Sequence, residues 1–122
     1  MGVPLQSFRD LIVWQKSVTL VVEVYALTRT FPKTEMYGLS AQMRRAAVSI
    51  PSNIAEGRRR GTRQDFRHFL LNALGSGAEL ETQLEITQRL ELAARTKIQP
   101  VASLLGEVQR MLSRMISTLT AM

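Results

Sequence analysis

The sequence predicts an all-α fold: an antiparallel up-down-up-down four-helix bundle in a single domain, residues 1–122. Three observations predict it. Apolar residues recur at helical spacing in four long runs, the pattern of helices that each bury a stripe of their surface. Neither an Asn-Gly or Asp-Gly hairpin signal nor an internal repeat is present. Proline and glycine punctuate the runs so that the connections are short, and short connections set consecutive helices side by side.

The first run extends from about Asp10 to Thr30. Trp14, Val18, Val21 and Tyr25 form one stripe, and Val13, Leu20, Val24, Leu27 and Phe31 form a second beside it. Phe31-Pro32 ends the helix, because a residue preceding proline is disfavoured in the helical region. Two adjacent stripes wrap much of the circumference, and a helix apolar on so many sides needs cover from more than one direction. We therefore expect a homo-oligomer, with Val13, Leu20, Val24 and Leu27 at the contact between copies.

The second run begins near Glu35 to Leu39 and carries Leu39, Met43, Ala46, Ile50 and Ile54 on one face. Pro51 removes a backbone donor and is expected to break or bend this helix by freeing the Ala47 carbonyl, with Ser49, Ser52 and Asn53 satisfying nearby backbone groups. Gly57 is expected to stop it. The third run, Thr62 to about Glu91, opens with Thr62 and Asp65 in the spacing of a capping box and buries Phe66, Phe69, Leu70, Ala73, Leu74, Leu80 and Leu84. Gly75 and Gly77 within it each weaken the helix by about 1 kcal/mol relative to alanine, so close helix–helix approach is expected there. Glu85 with Arg89, and Glu91 with Arg95, have favourable i, i+4 spacing. The fourth run starts after Thr96, with Val101, Leu104, Leu105, Val108, Leu112, Met115 and Leu119 at heptad-like intervals.

With 45% hydrophobic and 21% charged residues, the composition is that of an ordinary globular chain rather than a disordered one. Sixteen Lys and Arg against ten Asp and Glu leave a formal charge of +6, which favours polyanionic partners. The absence of cysteine excludes disulfides and thiolate metal sites and fits a reducing cytoplasm. The N-terminus lacks the basic-then-apolar order of a signal peptide, and Gln6 stands where a myristoylation motif that opens with Met1-Gly2 requires Ser or Thr. Val18 to Leu27 is too short and too polar to cross a bilayer. A soluble cytoplasmic protein that engages no membrane is the expectation.

Catalysis, cofactors and metals are not expected. His68 is the lone histidine and adjoins Arg67; only Asp65 and His68 have the i, i+3 spacing of a di-iron bundle ligand pair, with no second histidine to complete it. Gly57 and Gly61 flank arginines without the Gly-Lys-Ser/Thr ending of a phosphate-binding P-loop. Glu56 and Glu79 lie close to apolar positions and are expected, partly buried, to join Ser49, Asn53 and Ser76 in a structural polar network between helices.

The candidate binding site is basic: Arg44, Arg45, Arg58, Arg59, Arg60, Arg63 and Arg67. Cations at the end of the second helix complement its dipole, which accounts for Arg58 to Arg60 without any ligand. Arg63 and Arg67 begin the third helix, where the dipole prefers carboxylates, so their placement points to a demand from elsewhere. All seven are arginine, which suits bidentate recognition of phosphate or carboxylate. Phe66 and Phe69 are the only aromatics interleaved with them and belong to the core, so base stacking is not indicated. RNA or DNA backbone is the expected ligand; the alternative is a scaffold that docks an acidic protein without binding nucleic acid.

The blocks FRDLIVWQKS, FPKTEMYGLSAQMRRAAVSIPSNIAEG and FLLNALGSGAELETQLEI resemble the four-helix-bundle proteins related to the 23S rRNA intervening-sequence protein, a group that includes the accessory variability determinant of diversity-generating retroelements. The resemblance runs from about Phe8 to Leu119, with Ser-Ile-x-x-Asn-Ile-Ala-Glu-Gly and the segment Gly75 to Glu81 as its specific parts. It implies an antiparallel bundle assembled into a homopentameric ring and, for the retroelement branch, binding of nucleic acid and of a reverse transcriptase through basic residues. No catalytic residues carry over.

Overall fold

The computed structural model describes residues 7–121; the readings made on Met1, Gly2 and Gln6 lie outside them. A short 3₁₀ turn, Phe8–Asp10, precedes α1 (Ile12–Thr28). A second such turn, Lys33–Glu35, leads into α2 (Leu39–Arg60), which is followed by α3 (Arg63–Arg89) and α4 (Arg95–Ala121). No strand occurs among the described residues. The fold is all-α with four long helices: α2 packs on α1 and α3, and α4 packs on α3 and α1, so one core is enclosed.

Local chemistry explains the boundaries. Ser7 Oγ accepts the Arg9 amide at 3.0 Å and Asp10 Oδ2 accepts the Ser7 amide at 3.2 Å, which fixes the first turn. Thr62 Oγ1 accepts the Asp65 amide at 3.1 Å and caps α3, without the reciprocal carboxylate bond of a full capping box. At the far end of α3, the Leu92 amide donates to the Thr87 carbonyl and the Glu91 amide to the Gln88 carbonyl, both at 3.1 Å. That pair is a Schellman motif, with Glu91 at φ 55° where glycine is usual. Glu91 therefore lies in the turn and Arg95 in the next helix, so their expected i, i+4 pair does not form. Glu85 and Arg89 do pair, at 2.9 Å.

Two expectations for α2 are corrected. Pro51 is buried within an uninterrupted helix and does not break it; Asn53 Nδ2 donates to the Ser49 carbonyl at 2.8 Å, just before the proline. Gly57 does not stop the helix either. Gly61, at φ 86°, is the left-handed cap, four residues later. Gly57 is instead a point of close approach: a Cβ there would lie 2.7 Å from Cβ of Phe69 on α3. The two glycines of α3 also divide. Gly77 faces the Gln109 side chain of α4 with no room for a Cβ, whereas Gly75 faces open space.

The core settles the two stripes of α1. Val13, Leu20, Val24 and Leu27 are at most 4% exposed within the single chain, so they form the core and are not available as the contact between copies. Full burial of one such side chain stabilises by roughly 1.5–3 kcal/mol, and the chain's own α2 and α4 supply that cover. Trp14, Val18, Val21 and Tyr25 are half-buried beside them, while Ile12 and Val22 are 59% and 64% exposed. On α4, Ile98, Val101, Leu105, Val108 and Leu112 are buried at alternating gaps of three and four, the spacing of an inward-facing stripe. A Lys16–Glu107 ion pair at 2.9 Å joins α1 to α4 at the surface, where such a pair contributes about 0–1 kcal/mol.

Candidate nucleic-acid interface

The turn between α2 and α3 is two residues long, Gly61 and Thr62. One supplies a positive φ and the other a helix cap, so the last turn of α2 and the first of α3 are held at a fixed corner. Arg58, Arg59 and Arg60 close α2; Arg63 and Arg67 open α3.

Aromatic rings hold several of these guanidiniums at the surface. Arg60 lies over Phe69 at 5.2 Å from the ring centroid, and Arg59 lies over Phe8 at 5.9 Å. Arg9, from the N-terminal 3₁₀ turn, lies over the same Phe8 ring at 4.8 Å. Such contacts are worth about 0.5–1 kcal/mol each at exposed sites. Arg9 is therefore part of the corner, although no spacing in the sequence signals it. Carboxylates temper the charge: Glu56 Oε2 accepts from Arg60 Nε at 3.3 Å, and Asp65 sits in the first turn of α3.

Arg67 has a structural explanation that the sequence did not show. Its Nε donates to Thr120 Oγ1 at 2.6 Å, which places the cation beside the C-terminal turn of α4. A helix C-terminus favours positive charge, so α4 supplies the demand that the start of α3 does not. Beside this bond, Phe66, Met115, Leu119 and Arg114 line a shallow apolar hollow with a basic rim.

Arg44 and Arg45 are not part of this corner. Fourteen residues of α2 separate Arg44 from Arg58, about 21 Å along the axis. Arg44 is half-buried, donates from Nε to Thr28 Oγ1 at 2.9 Å and stacks over Tyr25 at 4.5 Å, so it joins α2 to α1. Arg45 is exposed on a hollow with Gln42, Ser49, Ser76 and Glu79. The seven arginines thus fall into two groups, Arg44 and Arg45 in the first half of α2 and the other five at the α2–α3 corner.

The polar network exists in a smaller form than expected. Ser49 Oγ and Ser76 Oγ are 2.8 Å apart across α2 and α3, and Asn53 Nδ2 donates to Ser49 Oγ at 2.9 Å. Glu56 and Glu79 are exposed rather than partly buried, and neither enters that chain of bonds. His68 is exposed and meets Phe69 edge-on at 5.3 Å. Among the described residues no three acidic or histidine side chains gather where a metal ion could be held, and no helix is long and apolar enough to cross a membrane.

A family model described as 23S rRNA-intervening sequence protein matches residues 9–114. Among solved structures, a protein of unknown function from the S23 ribosomal protein family of Bacteroides thetaiotaomicron is similar at 27% identity and a TM-score of 0.80, over 86% of this chain and 98% of that one. No curated protein matches the chain.

Proposed function

The chain belongs to the 23S rRNA-intervening sequence protein family, and from that premise we propose that it is a non-enzymatic, self-associating bundle protein of the cytoplasm that binds RNA or DNA backbone through the α2–α3 corner. The observation that carries this reading is the capped two-residue turn presenting Arg58, Arg59, Arg60 and Arg63 together with Arg9. Backbone binding needs clustered cations and little else, because phosphate contacts supply affinity by releasing counterions without reading sequence.

The antiparallel up-down-up-down arrangement belongs to the same proposal. Its support is the order of contacts: Met43, Ser49 and Gly57 ascend along α2 while their partners Thr87, Ser76 and Phe69 descend along α3. Self-association is supported by large apolar side chains left exposed outside the core stripe, Ile12 and Val22 of α1 and Val48 of α2. Five-fold closure is what the family resemblance implies. A ring would repeat the corner around its rim and turn a local cluster into a continuous basic band.

Light scattering with and without added RNA tests the reading. The expected result is an oligomer whose mass rises on adding RNA at low salt and returns to that of the protein alone at high salt. A monomer that gains no mass at any salt concentration overturns it. The second reading, docking of an acidic protein, draws on the hollow lined by Phe66, Met115 and Leu119 with Arg114 at its edge, which suits a partner carrying both apolar and acidic side chains. Protein purified free of nucleic acid and indifferent to added RNA would favour that second reading.

A further inference from the structure

At the opposite end of α2 from the corner, the loop after α1 encloses a hollow of about 240 Å³. Arg29, Lys33 and Arg44 line it, and Phe31, Pro32 and Met36 form its apolar side. Three cations around so small a space repel one another unless an anion lies between them.

Two features of the start of α2 adjoin this space, of which the Ser40 side chain lines it directly. The N-cap, Gly38, has no side chain, and no other side chain caps the helix, so the first-turn amides of Leu39, Ser40 and Ala41 have no acceptor within the helix. Such an end carries partial positive charge and presents donors to an anion. Ser40 is the second feature. It is only 5% exposed, lines the hollow, and its hydroxyl makes no hydrogen bond to any described residue. The hydroxyl is thus left able to donate to a ligand oxygen in the hollow. Arg44 is already oriented: Nε is held by Thr28 and the guanidinium plane by Tyr25, leaving its terminal nitrogens for a further acceptor. Thr28 itself is committed, since it also donates to the Val24 carbonyl at 2.8 Å.

We propose that this hollow is a binding site for a small phosphate monoester. The oxyanion is held by Arg29, Lys33, Arg44, the Ser40 hydroxyl and the first-turn amides of α2, and the attached group lies against Phe31, Pro32 and Met36. The volume is below that of a drug-sized pocket and matches a mononucleotide or smaller ligand bound in part. Glu35, whose Oε1 would lie 3.5 Å from a Cβ at Gly38, is the carboxylate nearest the helix end and opposes the anion. The site is about 30 Å along α2 from Arg60, so it is separate from the corner.

Calorimetric titration of the full chain with inorganic phosphate and, separately, with adenosine monophosphate tests the site. Saturable binding of at least one probe is expected. Arg29→Gln with Lys33→Gln, both at exposed positions, should weaken it by about tenfold, and Ser40→Ala by about fivefold. Glu35→Gln should tighten it. The triple change Arg58→Gln, Arg59→Gln, Arg60→Gln should leave it unaltered. Phosphate binding alone assigns the site to the free ion, and tighter binding of the nucleotide assigns a role to the apolar side. No saturable binding of either probe overturns the proposal. So does binding that survives the Arg29 and Lys33 changes, or binding lost in the corner triple.

Discussion

The two ends of α2 carry the same residue type in opposite circumstances. At its start, Arg44 is half-buried, bonded to Thr28 and stacked on Tyr25, so its stem and Nε hold α1 to α2. At its end, Arg58 to Arg60 follow one another on the last turn, where Arg59 and Arg60 lie over aromatic rings. The residue type is the same at the two ends, but its consequences are not. A half-buried arginine with a fixed partner contributes packing and a hydrogen bond. An arginine on an exposed turn contributes field and contact with whatever approaches. Counting cations along a sequence merges these roles; burial and partners separate them.

The largest expected effect falls on the exposed end. Replacing Arg58, Arg59 and Arg60 with Gln should lower affinity for any RNA by about a hundredfold near physiological salt, if each meets one phosphate, with little change in melting temperature. Fluorescence anisotropy and thermal denaturation on the same variant check both halves. An affinity that stays put would place the nucleic-acid site elsewhere.

Gly57→Ala comes next and strikes the scaffold under the corner. The added methyl group meets Phe69 Cβ at 2.7 Å, so α2 and α3 must separate, and a loss of about 1–3 kcal/mol is expected in urea unfolding. If stability is unchanged, the close approach of these helices does not hold in solution. Arg44→Gln should cost about 1–2 kcal/mol through the lost Thr28 bond and Tyr25 contact while leaving RNA affinity intact. Equal loss of binding in this variant would erase the distinction between the two ends.

The smallest effect lies away from both ends and calibrates the others. Glu91 occupies a left-handed conformation that costs most residues about 1 kcal/mol. Glu91→Gly should therefore raise stability by about 0.5–1 kcal/mol without altering any binding.

Much of this architecture was legible in the sequence. Thr62 and the glycines around the arginines located the α2–α3 corner, and the periodicities placed all four helices to within a few residues. The misreadings share one physical origin, since they depend on what lies opposite. Gly57 and Gly61 are four residues apart and equally able to end a helix; Phe69 demands one of them for space, and the positive φ falls on the other. The two stripes of α1 are alike in composition, and only the positions of α2 and α4 decide which becomes core. Arg67 looked misplaced at the start of α3 because the C-terminal turn of α4, fifty-three residues away, could not be brought beside it from the sequence. Arg9 was missed for the same reason: the Phe8 ring that it shares with Arg59 joins segments far apart in the chain.

The most direct test of the corner is the salt dependence of RNA binding, measured as the slope of log K against log salt concentration for the wild type and for the Arg58→Gln, Arg59→Gln, Arg60→Gln variant. Each phosphate contact contributes about 0.7–0.9 to that slope, so the triple variant should show a slope shallower by about 2–3. Identical slopes for the two proteins would contradict the assignment of these arginines to the phosphate backbone.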